Sequence, residues 1–140
     1  MKLRILGCSG GIGGESLRTT SLLVDDDVLI DAGTGLGDLP IQAPARLDHL
    51  FLTPTHLDHI ACLPLMIDSV ADRRSRPLTV YGAPAVLDIL RKHVFNWLVW
   101  PDFAEVPSAD NPFMRYQPIE LLKPVTLGGR SFTPLPVDHT

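Results

Sequence analysis

An apolar run that ends in a cluster of metal-ligand side chains constrains the fold of this chain more than any other feature. Leu50-Phe51-Leu52 is continuous in apolar character, as is typical of a strand covered by helices. Thr55-His56-Leu57-Asp58-His59 follows almost at once. A strand ending at Thr53 would present two imidazoles and a carboxylate on one tight loop, where they converge as a hydrolytic metal site requires. The alternative is a pair of solvated histidines at a helix N-terminus, with Asp58 as the cap.

The remaining pattern is mainly strands, with two helices interposed. Asp25-Asp26-Asp27 is too charged to be buried and predicts a hairpin turn, and Gly128-Gly129 predicts another. Apolar residues at helical spacing predict the helices, each with a proline suited to its first turn. The expected elements are an edge strand at 3–5, a hairpin of 21–24 and 28–30, a strand at 50–53, a helix over 63–73, a strand at 78–82, a helix over 84–95 and a hairpin of 125–127 and 131–133.

The histidine cluster resembles the H-x-H-x-D-H signature of the metallo-β-lactamase fold. Its H-L-D-H-I form looks most like class II cyclic-nucleotide phosphodiesterases and their RNase Z relatives. Three further segments match in the family's order: the opening strand and glycine loop in 1–14, the D-x-G segment in 29–33 and the P-V-x-H-T motif in 136–140. The resemblance implies an α/β fold, an αββα sandwich, of which residues 1–140 would be a single domain comprising the N-terminal half.

The resemblance also implies which residues hold metal. One divalent ion would take the first two histidines of the signature and His139, and a second ion would take Asp58 and His59. The metal ligands expected in this chain are therefore His56, Asp58, His59 and His139, with Asp58 also the expected catalytic residue. Asp31 would hold a ligand histidine by its distal N–H. Zinc is the expected metal, with manganese as an alternative, and a shared hydroxide would attack phosphorus.

Two features depart from the family pattern. Pro54 occupies the position of the first signature histidine and has no side-chain ligand. This leaves three interpretations: a one-metal enzyme, a degenerate non-catalytic member, or an engineered or erroneous residue. The 140 residues also fall short of the roughly 200 that the fold usually requires. We therefore expect a C-terminally truncated domain, inactive alone, that either lacks its C-terminal half or forms a homo-oligomer.

The predicted function is metal-dependent hydrolysis of a small phosphodiester, in particular a cyclic nucleotide. An RNase Z-like nuclease would need a tRNA-gripping arm and a basic face, whereas the net charge is −4 and Arg73, Arg74 and Arg76 read as a solvated helix end. Nucleic acid and membrane partners are therefore not expected. The glycine loop 7–13 fits a dehydrogenase only if a helix occupies 14–24. A β-branched run in that segment predicts a strand instead. No cofactor-binding residues besides the metal ligands are therefore expected.

The sequence shows no export signal and no apolar run of about 20 residues, so a cytoplasmic location is expected. Cys8 and Cys62 are expected to be free thiols. His49 reads as a solvated residue at a strand end.

Overall fold

The computed structural model describes residues 1–53 and 56–138, and Pro54, Thr55, His139 and Thr140 lie outside the described residues. The strands are β1 (Leu3–Gly7), β2 (Ser21–Val24), β3 (Val28–Ile30), β4 (His49–Phe51), β5 (Leu78–Gly82), β6 (Pro107–Ser108), β7 (Asn111–Pro112), β8 (Met114–Pro118), β9 (Val125–Leu127) and β10 (Arg130–Phe132). The α-helices are α1 (Leu57–Ile60), α2 (Leu63–Val70) and α3 (Pro84–His93), and short 3-10 helices span Thr34–Asp38, Pro44–Arg46 and Ala71–Arg73.

Six strands form one mixed sheet in the order β1-β2-β3-β4-β5-β8. β1, β2 and β3 pair antiparallel, whereas β3, β4, β5 and β8 run parallel. Parallel neighbours need a long crossover, which runs through two 3-10 helices between β3 and β4, through α1 and α2 between β4 and β5, and through α3 between β5 and β8. The ends of β3 and β4 therefore lie side by side, and the candidate site forms there.

The sheet buries apolar side chains on both faces, although unequally. Leu29, Leu50 and Val80 point to the face that packs against the helices, where the larger core forms. Their neighbours along the strands point to the opposite face, where Phe51 and Tyr81 form a smaller core with the β9–β10 hairpin. The continuous apolar run at 50–52 is explained because alternate residues enter different cores.

Arg130 fastens the β9–β10 hairpin to the turn between β2 and β3. Its guanidinium donates to both carboxylate oxygens of Asp27, at 2.7 and 2.6 Å, and to Asp25 Oδ2 at 2.8 Å. This guanidinium holds the pKa of Asp27 below its usual range. Phe132 stacks on Phe51 with ring centroids 5.1 Å apart. The ion pairs of Arg130 and the stacking of Phe132 together hold the hairpin against the sheet.

The predicted hairpins, the strand at 78–82 and the helix over 63–73 are confirmed, with the last turn of that helix in 3-10 form. Residues 14–24 are loop and strand, with no helix, as the β-branched run predicted. β4 ends at Phe51 instead of Thr53, because the Thr53 N–H donates to the Asp31 side chain. α3 ends at His93, two residues early, where the N–H of Phe95 bonds the Leu90 carbonyl.

The prediction that 55–59 forms one tight loop is wrong for 57–59, because Leu57–Ile60 is helical and Asp58 and His59 lie on the first turn of that helix. In the C-terminal hairpin, the second strand, β10, begins at Arg130, one residue earlier than predicted. Cys8 and Cys62 are free. No helix within 1–53 and 56–138 is long and apolar enough to cross a membrane.

Candidate metal centre

Asp31 is the buried anchor of the site. It directly follows β3, its side chain is only 2% exposed, and its backbone adopts the left-handed region with φ of 58°. Aspartate tolerates this conformation better than most residues, and such strain concentrates at functional sites. Its Oδ1 accepts the Thr53 N–H at 2.9 Å, and its Oδ2 accepts the Thr53 hydroxyl at 2.7 Å. The carboxylate thus bridges the ends of β3 and β4.

The same carboxylate orients His59. His59 Nδ1 lies 2.7 Å from Asp31 Oδ2, and the imidazole is only 12% exposed. An ionised carboxylate only accepts hydrogen bonds, so Nδ1 carries a hydrogen, and in the neutral imidazole Nε2 is then the nitrogen with the lone pair. Nε2 lies 3.4 Å from Asp58 Oδ2, so an imidazole nitrogen and a carboxylate oxygen face each other at the site.

Gly33 allows the loop after β3 to lie directly against α1. A Cβ atom at this position would collide with the carbonyl oxygen of Asp58 and with the Thr19 hydroxyl. The contact is reinforced because the Ala32 N–H donates to the His59 carbonyl at 2.7 Å, and the Cys62 N–H donates to the Ala32 carbonyl at 2.9 Å. The D-A-G segment therefore positions the backbone of α1 as well as the His59 ring.

The structure brings together three of the residues that the sequence singled out: Asp31, Asp58 and His59. His56 immediately precedes α1 in extended conformation. His139 and Pro54 lie outside the described residues, so the expected convergence of His139 on the site stays a prediction. In the part of the chain that the structure describes, no three His, Cys, Asp or Glu side chains are placed to hold one ion. Asp31 contacts His59 through Nδ1, the ring nitrogen away from Asp58. The role of Asp31 toward a metal stays a prediction.

A cavity of about 690 Å³ lies beside His59. Its walls come from the sheet face at Phe51 and Thr53, from Ile119 and Leu121, and from the segment 132–137 that follows the last hairpin. The lining is mainly apolar apart from Thr53, Thr133 and His59. Sequence reasoning missed these lining residues, because 119–137 reach the site only through the tertiary packing of the β9–β10 hairpin.

Comparison with known proteins assigns the chain to a family. The family described as cAMP phosphodiesterases class-II matches residues 42–137, more than half of the chain. The chain belongs to this family. It is also 39% identical over 49 residues to the 3',5'-cyclic-nucleotide phosphodiesterase 1 of Saccharomyces cerevisiae, an alignment that covers 35% of this chain and 13% of that protein.

Solved structures show the same fold. Unliganded yeast PDE1 matches with a TM-score of 0.68 at 19% identity, over 89% of this chain and 52% of that one. The metallo-β-lactamase fold protein YhfI from Bacillus subtilis matches with a TM-score of 0.64 at 20% identity, over 94% of this chain and 51% of that one. Human tRNase Z, short form, matches with a TM-score of 0.55 at 19% identity, over 86% of this chain and 46% of that one. The predicted α/β fold of the metallo-β-lactamase type is confirmed, and the chain spans about half the length of these structures.

Proposed function

We propose that this class-II family member contributes to a metal-dependent phosphodiesterase in which His56, Asp58, His59 and His139 are the metal ligands. The observation that carries the proposal is the Asp31–His59 contact of 2.7 Å, with Nε2 of the same ring 3.4 Å from Asp58. A buried carboxylate that fixes the tautomer and orientation of an imidazole is the usual partner of a metal-binding histidine.

The donors of the described residues fit part of a divalent metal site. An imidazole nitrogen and a carboxylate oxygen are both zinc or manganese ligands, and they face each other here. A divalent ion held by them would supply Lewis-acid chemistry, neutralising charge on a phosphate and acidifying water. The chain's own contribution is positional: Asp31 holds His59, and Gly33 lets the backbone of α1 approach.

The neighbouring cavity supports a small phosphodiester as substrate. Its volume of about 690 Å³ lies in the range of small-molecule sites, and it opens beside His59 and Thr53. An apolar wall suits the flat, weakly polar face of a nucleobase, while the phosphate would lie at the polar end. A cyclic nucleotide, the substrate class in the name of the matched family, is the substrate we propose.

Metal binding and turnover test the proposal in two stages. Titration calorimetry with zinc and with manganese should show binding that His59→Ala and Asp58→Ala each weaken. Asp88→Ala, a change of an exposed carboxylate on α3, is the matched control and should leave binding unchanged. We expect the 140-residue chain alone to be inactive on cyclic AMP and on bis(p-nitrophenyl) phosphate, since Pro54 supplies no ligand. If neither His59→Ala nor Asp58→Ala changes the zinc affinity, these two residues are not the metal ligands.

Pro54 favours a second candidate, a family member whose site has lost catalysis but binds ligand. Comparison of the unsubstituted chain with Pro54→His separates the two functions. If the site is only weakened, Pro54→His should raise the affinity for zinc, because an imidazole replaces a side chain that has no ligand atom. If the site has degenerated further, the substitution should leave affinity unchanged.

A further inference from the structure

A second pocket, with a polar lining, lies at the opposite end of the sheet from His59. Register aligns His49 of β4 with Thr79 of β5, and Thr79 with Arg115 of β8, so the three residues form a row across adjacent parallel strands. The row lies where these strands begin, whereas the candidate metal centre lies where they end. With a rise of about 3.3 Å per residue, His49 and Thr53 are roughly 13 Å apart along the chain. Arg76 and Asp48 complete a pocket of about 210 Å³.

One arginine of the cluster that the sequence presented as a solvated helix end is buried beside this pocket, in contact with Asp48. The Arg74 side chain is only 3% exposed, and its guanidinium donates to the Ala45 carbonyl at 3.1 Å and reaches Asp48 at 3.5 Å. Its Nε is buried and has no hydrogen-bond partner within the described part of the chain. The expectation of a solvated helix end is therefore wrong at Arg74, because its side chain is buried against Asp48 and the Ala45 carbonyl.

Positive charge exceeds negative charge at this pocket. Among the residues that the structure describes, Asp48 is the one carboxylate in the lining, and Arg76 binds it in bidentate geometry at 2.9 and 2.6 Å. Arg74 lies outside the lining and reaches Asp48 at 3.5 Å. Arg115 is exposed and makes no ion pair with any residue of 1–53 or 56–138. Two guanidinium groups, those of Arg76 and Arg115, thus line the pocket together with one carboxylate. Asp27, the next acidic residue, is held through both oxygens by Arg130.

The row also offers neutral hydrogen-bond donors. His49 Nδ1 lies 3.1 Å from the Tyr81 hydroxyl. When that hydroxyl donates to Nδ1, the imidazole hydrogen is on Nε2 and can donate to an anion. Thr79, between His49 and Arg115, adds a hydroxyl that also hydrogen-bonds the Tyr81 hydroxyl. Guanidinium forks with hydroxyl and imidazole donors are the groups that recognise tetrahedral phosphate oxygens.

We propose that the pocket formed by His49, Arg76, Thr79 and Arg115 binds a phosphate group, either inorganic phosphate or a phosphomonoester, at a site separate from the candidate metal centre. At about 30 Å³ per water molecule, the pocket has the room of roughly seven waters, enough for a phosphate and part of an attached group. The site does not depend on a metal or on the proposed phosphodiesterase activity.

Titration calorimetry on metal-free protein, dialysed against a chelator, tests this assignment. The probes are inorganic phosphate and adenosine 5'-monophosphate, with adenosine as the control without phosphate. We expect both phosphate compounds to bind and adenosine not to bind. Tighter binding of the monophosphate would identify a phosphomonoester as the ligand, and equal or weaker binding would identify phosphate itself.

Three single substitutions locate the binding. Arg115→Gln should weaken phosphate binding roughly tenfold, since it removes a charge-assisted donor. Arg73→Gln removes the same charge from an exposed neighbour outside the pocket and should have less than a twofold effect. His59→Ala should leave phosphate binding unchanged, which separates this site from the metal centre. Because Arg115 makes no ion pair with the described residues, its variant should keep the wild-type melting curve.

Other results would overturn the proposal. Absence of binding by both phosphate compounds would do so, as would equal losses in Arg73→Gln and Arg115→Gln, which would indicate diffuse attraction to a basic surface. Loss of binding in His59→Ala would place the phosphate at the other end of the sheet.

Discussion

At the scale of single residues, Asp31 links the backbone of the sheet to the chemistry of the site. One buried carboxylate accepts hydrogen bonds from the Thr53 backbone, the Thr53 hydroxyl and the His59 ring. An exposed carboxylate could make the same contacts only at the entropic cost of ordering its side chain, whereas packing already fixes Asp31. Its substitution should therefore affect metal affinity through His59.

Asp31→Asn should lower zinc affinity about 10- to 100-fold while the chain stays folded, because asparagine tolerates the left-handed backbone but lacks the charge that favours His59 as a ligand. Titration calorimetry measures the affinity, and circular dichroism the fold. Asp38→Asn, which removes the same charge from a residue exposed at 56% and paired with Arg18, is the control. Equal zinc affinity in Asp31→Asn and wild type would contradict the positioning role.

At the scale of elements, close backbone approach fixes α1 against the loop after β3. The two segments are 25 residues apart in sequence, and they share backbone hydrogen bonds at Ala32 on the loop side. α1 has only four residues, too short for a helix to be stable on its own. Its position therefore depends on this contact.

Gly33→Ala should destabilise the chain by about 1 to 3 kcal/mol, because the new methyl group meets backbone atoms that cannot move aside. Gly37→Ala is the matched control, since nothing lies within 4 Å of its Cβ position, and its effect should stay within about 0.5 kcal/mol. Urea unfolding monitored by circular dichroism measures both. Equal stabilities of the two variants would contradict the close backbone approach at Gly33.

The attachment of the β9–β10 hairpin should make stability depend on pH. The Lys2 N–H and Arg130 lower the pKa of Asp25, and Arg130 lowers the pKa of Asp27. Carboxylates with depressed pKa stabilise the fold above their unfolded pKa of about 3.9, and this contribution is lost as pH falls through the folded pKa.

Arg130→Gln should therefore reduce stability at pH 7 and flatten its decline between about pH 5 and pH 3. Arg46→Gln, at an exposed position without an ion pair to the described residues, should reproduce the wild-type profile. Urea midpoints measured at intervals across this range provide the test. Parallel profiles for Arg130→Gln and wild type would mean that the ion pairs do not stabilise the hairpin.

At the scale of the whole molecule, the sheet leaves apolar side chains uncovered at its β1 edge. Leu3 and Ile5 are 57% and 66% exposed. Within residues 1–53 and 56–138, β1 pairs with β2 alone, so its other edge has backbone groups available. Edge strands of this kind promote association between chains.

We expect the purified chain to self-associate with increasing concentration, and Ile5→Lys to reduce this association. Sedimentation equilibrium gives the average mass at each concentration. Ile89→Lys, which adds the same charge at a partly exposed position on α3, should leave association unchanged. A monomer at all concentrations would exclude association through β1.

The sequence by itself determined much of this protein. Period-two and helical patterns, turn residues and proline positions are local signals, and they predicted the hairpins, α2, β5 and most of α3. The short motifs predicted the fold family, and they singled out Asp31, Asp58 and His59 before any contact between them was known. These predictions succeed because each depends on residues close together in the chain.

Only the tertiary structure decided the contacts between distant segments. Arg130 meets Asp27 across 103 residues, Arg74 is drawn inward by Asp48, and His49, Thr79 and Arg115 form a row through strand register. No local pattern encodes such pairs, because hydrophobic burial and backbone pairing over the whole chain set which side chains meet. The same reason explains why the cavity beside His59 was not predicted from the sequence.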